Sequence, residues 1–492
     1  MSNAKQFLAV DLGAESGRVM RGSLAGGRLQ IAEAHRFANG PLQQGESLRW
    51  DFAKILAGVK RGIALGVEQS GKEIAGISVD SWGVDFGLLD ARGELVENPY
   101  HYRDAQTEGM LEEAFRRVPK REVYARTGIE IRRINSLFQL LAMRLRKDPA
   151  LARARRLMFM ADLVAHALCD EIFAEYTLAS TSQMADMHTG EWSAELLARL
   201  DLPAELLPQI VKPGTVVGRL TAAVAAECDC GRVPVIASGS HDTGCAVAAV
   251  PAEGEGWAYL SSGTWSLAGV ELKQAVITDA SFADNITNEG GVEGTIRFLT
   301  SLAGLWLVQE CRRQWQREGS DFSYAKLTEM ARAARPFAAR IEPNDDCFTA
   351  AGDMPARINR YLEQTGQPPL SDKGEIVRSI LESLAFTYRR TLDKVEAMTG
   401  RPSRVLHIVG GGAQNVLLNQ FAADATGREV IAGPIEATSI GNMLMQAKAV
   451  GAIGSLAELR TVVRDSFPTQ RYVPGQVEAW ESERQSRAVS GK

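Results

Sequence analysis

Val235-Ile-Ala-Ser-Gly-Ser-His-Asp-Thr-Gly-Cys-Ala-Val-Ala-Ala249 stands at the middle of the chain, and its reading decides how the two halves are organised. A short apolar run, a Gly/Ser turn and a series of small residues spell a strand, a tight turn and the start of a helix. His241, Asp242 and Thr243 then fall at a strand end, where open α/β sheets carry their chemistry. A carboxylate so placed can act as general base toward a hydroxyl within hydrogen-bond reach. The competing reading of an isolated Ser-His-Asp-Thr is that Asp242 only caps the helix behind it.

Outward from this stretch the same grammar recurs. Phe7-Leu-Ala-Val-Asp-Leu-Gly-Ala-Glu-Ser-Gly-Arg-Val-Met20 reads as a buried strand, a Gly-bounded turn and a second strand. Glycines 13 and 17 allow backbone N–H groups to turn inward, as phosphate cradles do. Asp11, at the strand end, suits a phosphate-bound Mg²⁺ held through water. Trp257-Ala-Tyr-Leu-Ser-Ser-Gly-Thr-Trp-Ser-Leu-Ala-Gly-Val270 repeats strand, turn and strand, and Ile74–Phe86 and Val405–Asn415 add one strand-to-turn unit to each half. Two such blocks predict a duplicated α/β domain with its paired turns facing each other across a cleft.

Helices are expected in the intervals. From Glu375 to Met398, Ile376, Ile380, Leu384, Tyr388, Leu392 and Val395 recur every three or four residues and Gly400 follows as a stop, giving one long helix with a buried face. Arg132–Arg146 and Leu157–Leu168 carry similar apolar loads and are read as helices covering the first sheet.

Composition excludes several classes. The chain has 492 residues, 45% of them hydrophobic, and a net charge of -5, so it can bury large cores and lacks the clustered cations that nucleic acid requires. The basic groups Arg116-Arg117 to Lys120-Arg121 and Arg153 to Arg156 read as solvated helix faces. The start runs into the strand at Phe7 without a charged-then-apolar leader, and no apolar run reaches the roughly 18 residues of a membrane span; a cytoplasmic protein is expected. Six cysteines without a C-x-x-C leave Cys228-Asp-Cys230 as an incidental pair rather than half of a zinc site. Gly66-Val-Glu-Gln-Ser-Gly-Lys72 has P-loop spacing, but Glu73 replaces the Ser or Thr and a strand follows instead of a helix. No dinucleotide fingerprint and no H-E-x-x-H occurs, and of the six histidines His241 alone is suspiciously placed.

The first loop Asp11-Leu-Gly-Ala-Glu-Ser-Gly-Arg18, Asp80-Ser-Trp-Gly-Val-Asp-Phe86, Ser240-His-Asp-Thr243, Tyr259-Leu-Ser-Ser-Gly-Thr-Trp-Ser266, Asn285-Ile-Thr-Asn-Glu-Gly-Gly291 and His407-Ile-Val-Gly-Gly-Gly412 occur in that order. Together they resemble the carbohydrate kinases of the FGGY family, from about Phe7 to Ala449. The resemblance implies two actin-like (ribonuclease H-like) ATPase domains with a cleft between them: residues 1–245 binding sugar, 246–460 binding nucleotide, and a tail at 461–492. It implies ATP-dependent phosphorylation of a ketose, L-rhamnulose before L-fuculose, xylulose or another polyol, with ATP and Mg²⁺ required. By the same resemblance Asp242 is the base, and His241, Thr243 and Gly83 lie near the sugar, with Trp82 and Arg103 as further sugar-side residues. Ala14, Glu15, Ser16, Gly17, Arg18, Thr264, Gln309 and Gly411 match nucleotide positions, and Asp11 the metal position. Ser301 is a departure, since the resemblance leads one to expect Asn there. Phosphoryl transfer needs positioning and charge neutralisation more than covalent chemistry, which such a set can supply. A rival from another class is an actin-like protein that binds nucleotide without phosphorylating a sugar; sugar-dependent ADP release separates the two.

Overall fold

The structure is a computed structural model and describes residues 4–490. Its chain forms two compact units: Met1–Pro251 with Glu271–Phe298 and Ala437–Ser466, and Ala252–Val270 with Leu299–Glu436 and Phe467–Lys492.

The first unit is built on β1 (Lys5–Leu12), β2 (Ser16–Ala25), β3 (Arg28–Ala38), β4 (Ile74–Ser81), β5 (Thr215–Arg219) and β6 (Pro234–Ala237), in the sheet order β5-β6-β4-β1-β2-β3. β1 pairs antiparallel with β2 and parallel with β4, and β6 continues the parallel core beside β4. Phe7 to Val10 are all fully buried, which is why β1 reads as an unbroken apolar run: a central strand covered on both faces has no polar side to alternate with. The helices Phe52–Ser70 and Ala437–Ala449 pack on this sheet, the first against β2 and β3 and the second against β1 and β4. The second of these follows β1 by more than four hundred residues of sequence yet belongs to the same core.

In the second unit β7 (Trp257–Ser262) pairs antiparallel with β8 (Trp265–Leu272) and parallel with β9 (Val405–Val409). Beyond β9 lie β10 (Glu429–Ala432), parallel, and β11 (Gln470–Tyr472), antiparallel. The hairpin-plus-parallel-strand block of the first unit is therefore repeated, β7–β8–β9 answering β1–β2–β4. The long helix runs Lys373–Thr399, opened by the Asp372 side chain accepting from Glu375 N and closed by Gly400 at φ 66°.

Two expected helices are shorter than the sequence suggested. Arg156–Phe159 is a strand paired antiparallel with Phe86–Leu89, and the helix starts only at Met160; a short apolar run does not by itself distinguish strand from helix. The other helix spans Ser136–Leu145. Gly66 to Ser70 end the helix Phe52–Ser70 rather than form a phosphate loop. All six cysteines are free thiols. Among the described residues no helix is long and apolar enough to cross a membrane.

Candidate active site

The turn after β6 ends at His241, and the helix Asp242–Ala248 begins with Asp242 as its first residue. Asp242 is therefore not the cap: its Oδ1 accepts from its neighbour, Thr243 N at 2.5 Å and Thr243 Oγ1 at 3.0 Å. The Asp242 side chain keeps 34% of its surface exposed. Its approach is fixed from behind. Ser240 N donates to Glu175 Oε2 (3.0 Å), His241 N to Thr177 Oγ1 (3.0 Å) and Ser81 N to Ser240 O (2.8 Å). The helix itself is pressed against Ala437–Ala449 so closely that a Cβ on Gly441 would lie 1.9 Å from Cys245 O. Only glycine permits that crossing.

Three carboxylates share the strand ends. Asp11 and Asp80 are register partners on β1 and β4. Arg18, opposite Asp11 on β2, donates to Asp11 Oδ2 at 2.7 Å, as does Ser439 Oγ at 3.1 Å. Asp80 is fully buried; its Oδ2 accepts from Asn442 Nδ2 at 2.6 Å while its Oδ1 has no hydrogen-bond partner among the described residues. Burial pushes the Asp80 carboxyl well up, and the charges of Asp11 and Asp242 add to the push against Asn442 and Arg18. Burial also raises Asp242, helped by Asp11 and opposed by His241 and Thr243. A carboxylate with raised proton affinity is a better acceptor for a hydroxyl proton. Among the described residues no group of three or more carboxylate, His or Cys side chains is arranged to hold a metal on its own. Mg²⁺ that arrives with phosphate oxygens needs only one or two carboxylates, and the buried, unpartnered Oδ1 of Asp80 beside Asp11 fits that demand.

His241 is held by a second chain of charges. Arg297, fully buried, places Nη2 3.0 Å from His241 Nδ1, Nη1 3.1 Å from Glu289 Oε2, and Nε 2.9 Å from Gly290 O. A guanidinium only donates, so Nδ1 is the acceptor in this contact and Nε2 keeps a proton; Nδ1 also lies 3.4 Å from Glu289 Oε2. That proton faces Asp242 Oδ1, 3.4 Å away. Burial pushes the Glu289 carboxyl up, but Arg297 and then His241 outweigh it and hold it below its ordinary range.

On the sugar-side candidates, Gly83 sits where an added Cβ would be 3.0 Å from Thr181 Oγ1 and 3.5 Å from His241 Nε2. Trp82 is tied to Asp85, whose Oδ2 also takes Trp50 Nε1 (2.6 Å) and Tyr102 N, and whose Oδ1 takes Gln139 Nε2. Burial raises the Asp85 carboxyl to about 6 despite these donors. Trp50, Trp82, His101 and Tyr102 form one ring cluster, with Trp50 4.2 Å from Trp82 and 4.3 Å from His101 between centroids. Burial, with Arg103 close by, lowers His101 to about 4, so the ring is neutral. Arg103 is exposed beside it, its N–H given to His101 Nδ1.

The turn Ala14 to Arg18 is closed by Gly13 N donating to Ser16 O at 2.9 Å and is buttressed by Asn39, which bonds Glu15 O and Gly13 O. At Gly17 a Cβ would stand 2.3 Å from the Phe37 ring, so the glycine makes room for Phe37. In the second unit Thr264 Oγ1 lies 3.2 Å from Gln309 Oε1. Trp306 N at the head of the Trp306–Arg317 helix bonds Thr264 O. Gly410 to Gly412 lie against Ser262, where Cβ atoms on Gly410 and Gly412 would come within 2.9 Å and 2.0 Å of it, whereas Gly411 faces open space. Thr264 and Gln309 thus sit together, and Gly411 lies between two glycines packed on Ser262, two residues before Thr264. Ser301 is half-buried on the strand Ile296–Ala303.

Sequence reasoning did not single out Asp80, Asp85, Glu289, Arg297, His101 or the polar face Ser439, Asn442 and Gln446. Arg297 had a signal, a cation inside the apolar strand Ile296-Arg-Phe-Leu299. His101 is a buried member of the ring cluster, its Nδ1 satisfied by Arg103 N.

Residues 6–249 match the N-terminal domain, and 258–450 the C-terminal domain, of the FGGY family of carbohydrate kinases. The chain is 45% identical to the rhamnulokinase of Bacteroides thetaiotaomicron over 97% of its own length and 98% of that protein's. It is 38% identical to the rhamnulokinase of Enterococcus faecalis, covering 95% and 94%. In fold it is similar to a ligand-bound xylulose kinase from Lactobacillus acidophilus (TM-score 0.82, 15% identity, 99% of both chains). A Plasmodium falciparum glycerol kinase with ADP is similar too (TM-score 0.78, 15% identity, 99% and 98%).

Proposed function

The chain belongs to the FGGY family of carbohydrate kinases, and from that premise we propose that it transfers the γ-phosphoryl group of ATP to O1 of L-rhamnulose with Asp242 as general base. Similarity along the whole chain to proteins named rhamnulokinase supports the substrate. The observation that carries the chemistry is Asp242 itself: a partly exposed carboxylate of raised proton affinity, free of any capping bond and faced by the Nε2–H of His241.

In this reading Asp242 takes the O1 proton as the new O–P bond forms. His241 and Thr243 orient the carboxylate, Gly83 leaves room for the sugar beside His241, and Trp82 and Arg103 bound the ketose. Thr264, Gln309 and Gly411 hold the nucleotide, and the turn Ala14 to Arg18 takes phosphate. Asp11 and Asp80 would hold the Mg²⁺ that accompanies ATP, whose part is to neutralise phosphate charge. Dependence on ATP supports a cytoplasmic setting.

The test is ADP release with ATP and Mg²⁺ across L-rhamnulose, L-fuculose, xylulose and no sugar. The expected result is release that requires L-rhamnulose and proceeds with the highest kcat/KM on it. Equal release without sugar would refute the kinase reading, and a higher kcat/KM on another ketose would refute the substrate.

A further inference from the structure

Trp82-Gly-Val-Asp85 makes a turn that its composition does not favour. Asp85 N bonds Gly83 O at 3.0 Å, closing a three-residue γ-turn whose central residue, Val84, has φ 71°. A positive-φ γ-turn is rare and strained, and a β-branched residue is among the poorest occupants of that region. Glycine or asparagine would sit there more easily.

The surroundings force the conformation. Val84 O accepts from Ser136 Oγ at 2.5 Å and Gln139 Nε2 at 3.3 Å, and the Asp85 carboxyl is clasped by Trp50, Trp82, Tyr102 and Gln139. The core does not ask for this side chain. Trp82, Asp85 and Phe86 are buried, but Val84 is only half-buried, next to Gly83, where an added Cβ would lie 3.5 Å from His241 Nε2. Strain over-determined by its neighbours and set beside reactive groups is the pattern of a preorganised site.

Resting on the ketose-kinase reading above, we infer that Val84 is a specificity-determining residue of the sugar site, its isopropyl group forming the apolar wall that meets the C6 methyl of a 6-deoxyketose. The γ-turn holds that wall still before the sugar arrives. L-rhamnulose and L-fructose differ only in that methyl against a hydroxymethyl, so the pair probes the contact directly. An apolar pocket separates such neighbours by roughly 10- to 100-fold.

The experiment measures KM and kcat for both ketoses and for ATP, with melting temperatures, in the parent, Val84→Gly and Val84→Ala. For Val84→Gly, KM for L-rhamnulose should rise roughly tenfold, the preference over L-fructose should shrink by a similar factor, KM for ATP should stay within about twofold, and the melting temperature should not fall. A purely structural valine predicts the opposite split, with lower stability and unmoved KM values. Unchanged ketose KM, or an equal rise for both sugars, overturns the inference. Should Val84→Gly melt below the parent, the claim of strain fails, and Val84→Ala then decides the methyl contact by the same ratio. A parent that phosphorylates neither ketose refutes the functional reading and this inference with it, whereas an active parent with an unaltered Val84→Gly refutes this inference alone.

Discussion

Replacing Arg297 by methionine should cost the first unit about 3–5 kcal/mol, because it removes one partner of a buried ion pair and leaves the other behind. The Arg297 side chain is wholly buried and that of Glu289 is 10% exposed, 3.1 Å apart. Methionine roughly fills the space, so the loss is electrostatic rather than a cavity. The pH dependence gives the sign. In the parent, the Glu289 carboxyl lies below its ordinary value of 4.5, so its contribution is present above that value and is lost as pH falls through the lower, folded-state value. Without Arg297 the largest influence opposing burial is gone, and the folded-state value should rise past the ordinary one. The variant then loses stability as pH rises through that window, and its deficit against the parent widens from acid toward neutral pH. Urea denaturation of parent and Arg297→Met between about pH 4 and pH 8 measures this, and adding Glu289→Gln should recover part of the deficit at neutral pH. A variant within about 1 kcal/mol of the parent at pH 7, or a deficit that narrows as pH rises, would refute the buried-pair argument.

Asp242→Asn should retain ketose binding and lose about 10²- to 10⁴-fold in kcat; steady-state kinetics within a few-fold of the parent would leave Asp242 without a role as base. Gly411→Ala and Gly412→Ala should part company. An added Cβ meets open space at Gly411 but Ser262 Oγ at 2.0 Å at Gly412, so Gly412→Ala should lower the melting temperature, while Gly411→Ala should fold normally and raise KM for ATP alone. Gly17→Val should destabilise by about 1–3 kcal/mol through overpacking on Phe37. Denaturation of a Gly17→Val/Phe37→Leu pair should show partial recovery, and no recovery would mean that Phe37 is not the obstacle.

What the sequence made legible was local. Strand, turn and strand around Asp11, and again around Thr264, could be read because each signal lies within a dozen residues, and six such motifs in order settled the fold class. The same locality explains what was missed. Ser439, Asn442 and Gln446 recur at helical spacing, and a polar stripe on a helix normally faces water. Here Ser439 meets Asp11, Asn442 meets the buried Asp80, and Gln446 meets Leu8 O and Asn442. Nothing in the stripe says whether its partners are solvent or carboxylates brought in from residues 11 and 80. Gly441 was equally silent, since its reason lies in Cys245 O on the crossing helix. The general point is energetic. A buried carboxylate such as Asp80 is costly unless other groups compensate it, so an acid at the inner end of an apolar strand requires donors from elsewhere in the chain. In this protein that requirement binds residues 437–449 to the first unit: without Asn442, the Asp80 carboxyl would keep its burial and lose the donor at its Oδ2. The polar stripe is thus a structural consequence of gathering three carboxylates at the strand ends, and it becomes visible only once those ends are seen side by side.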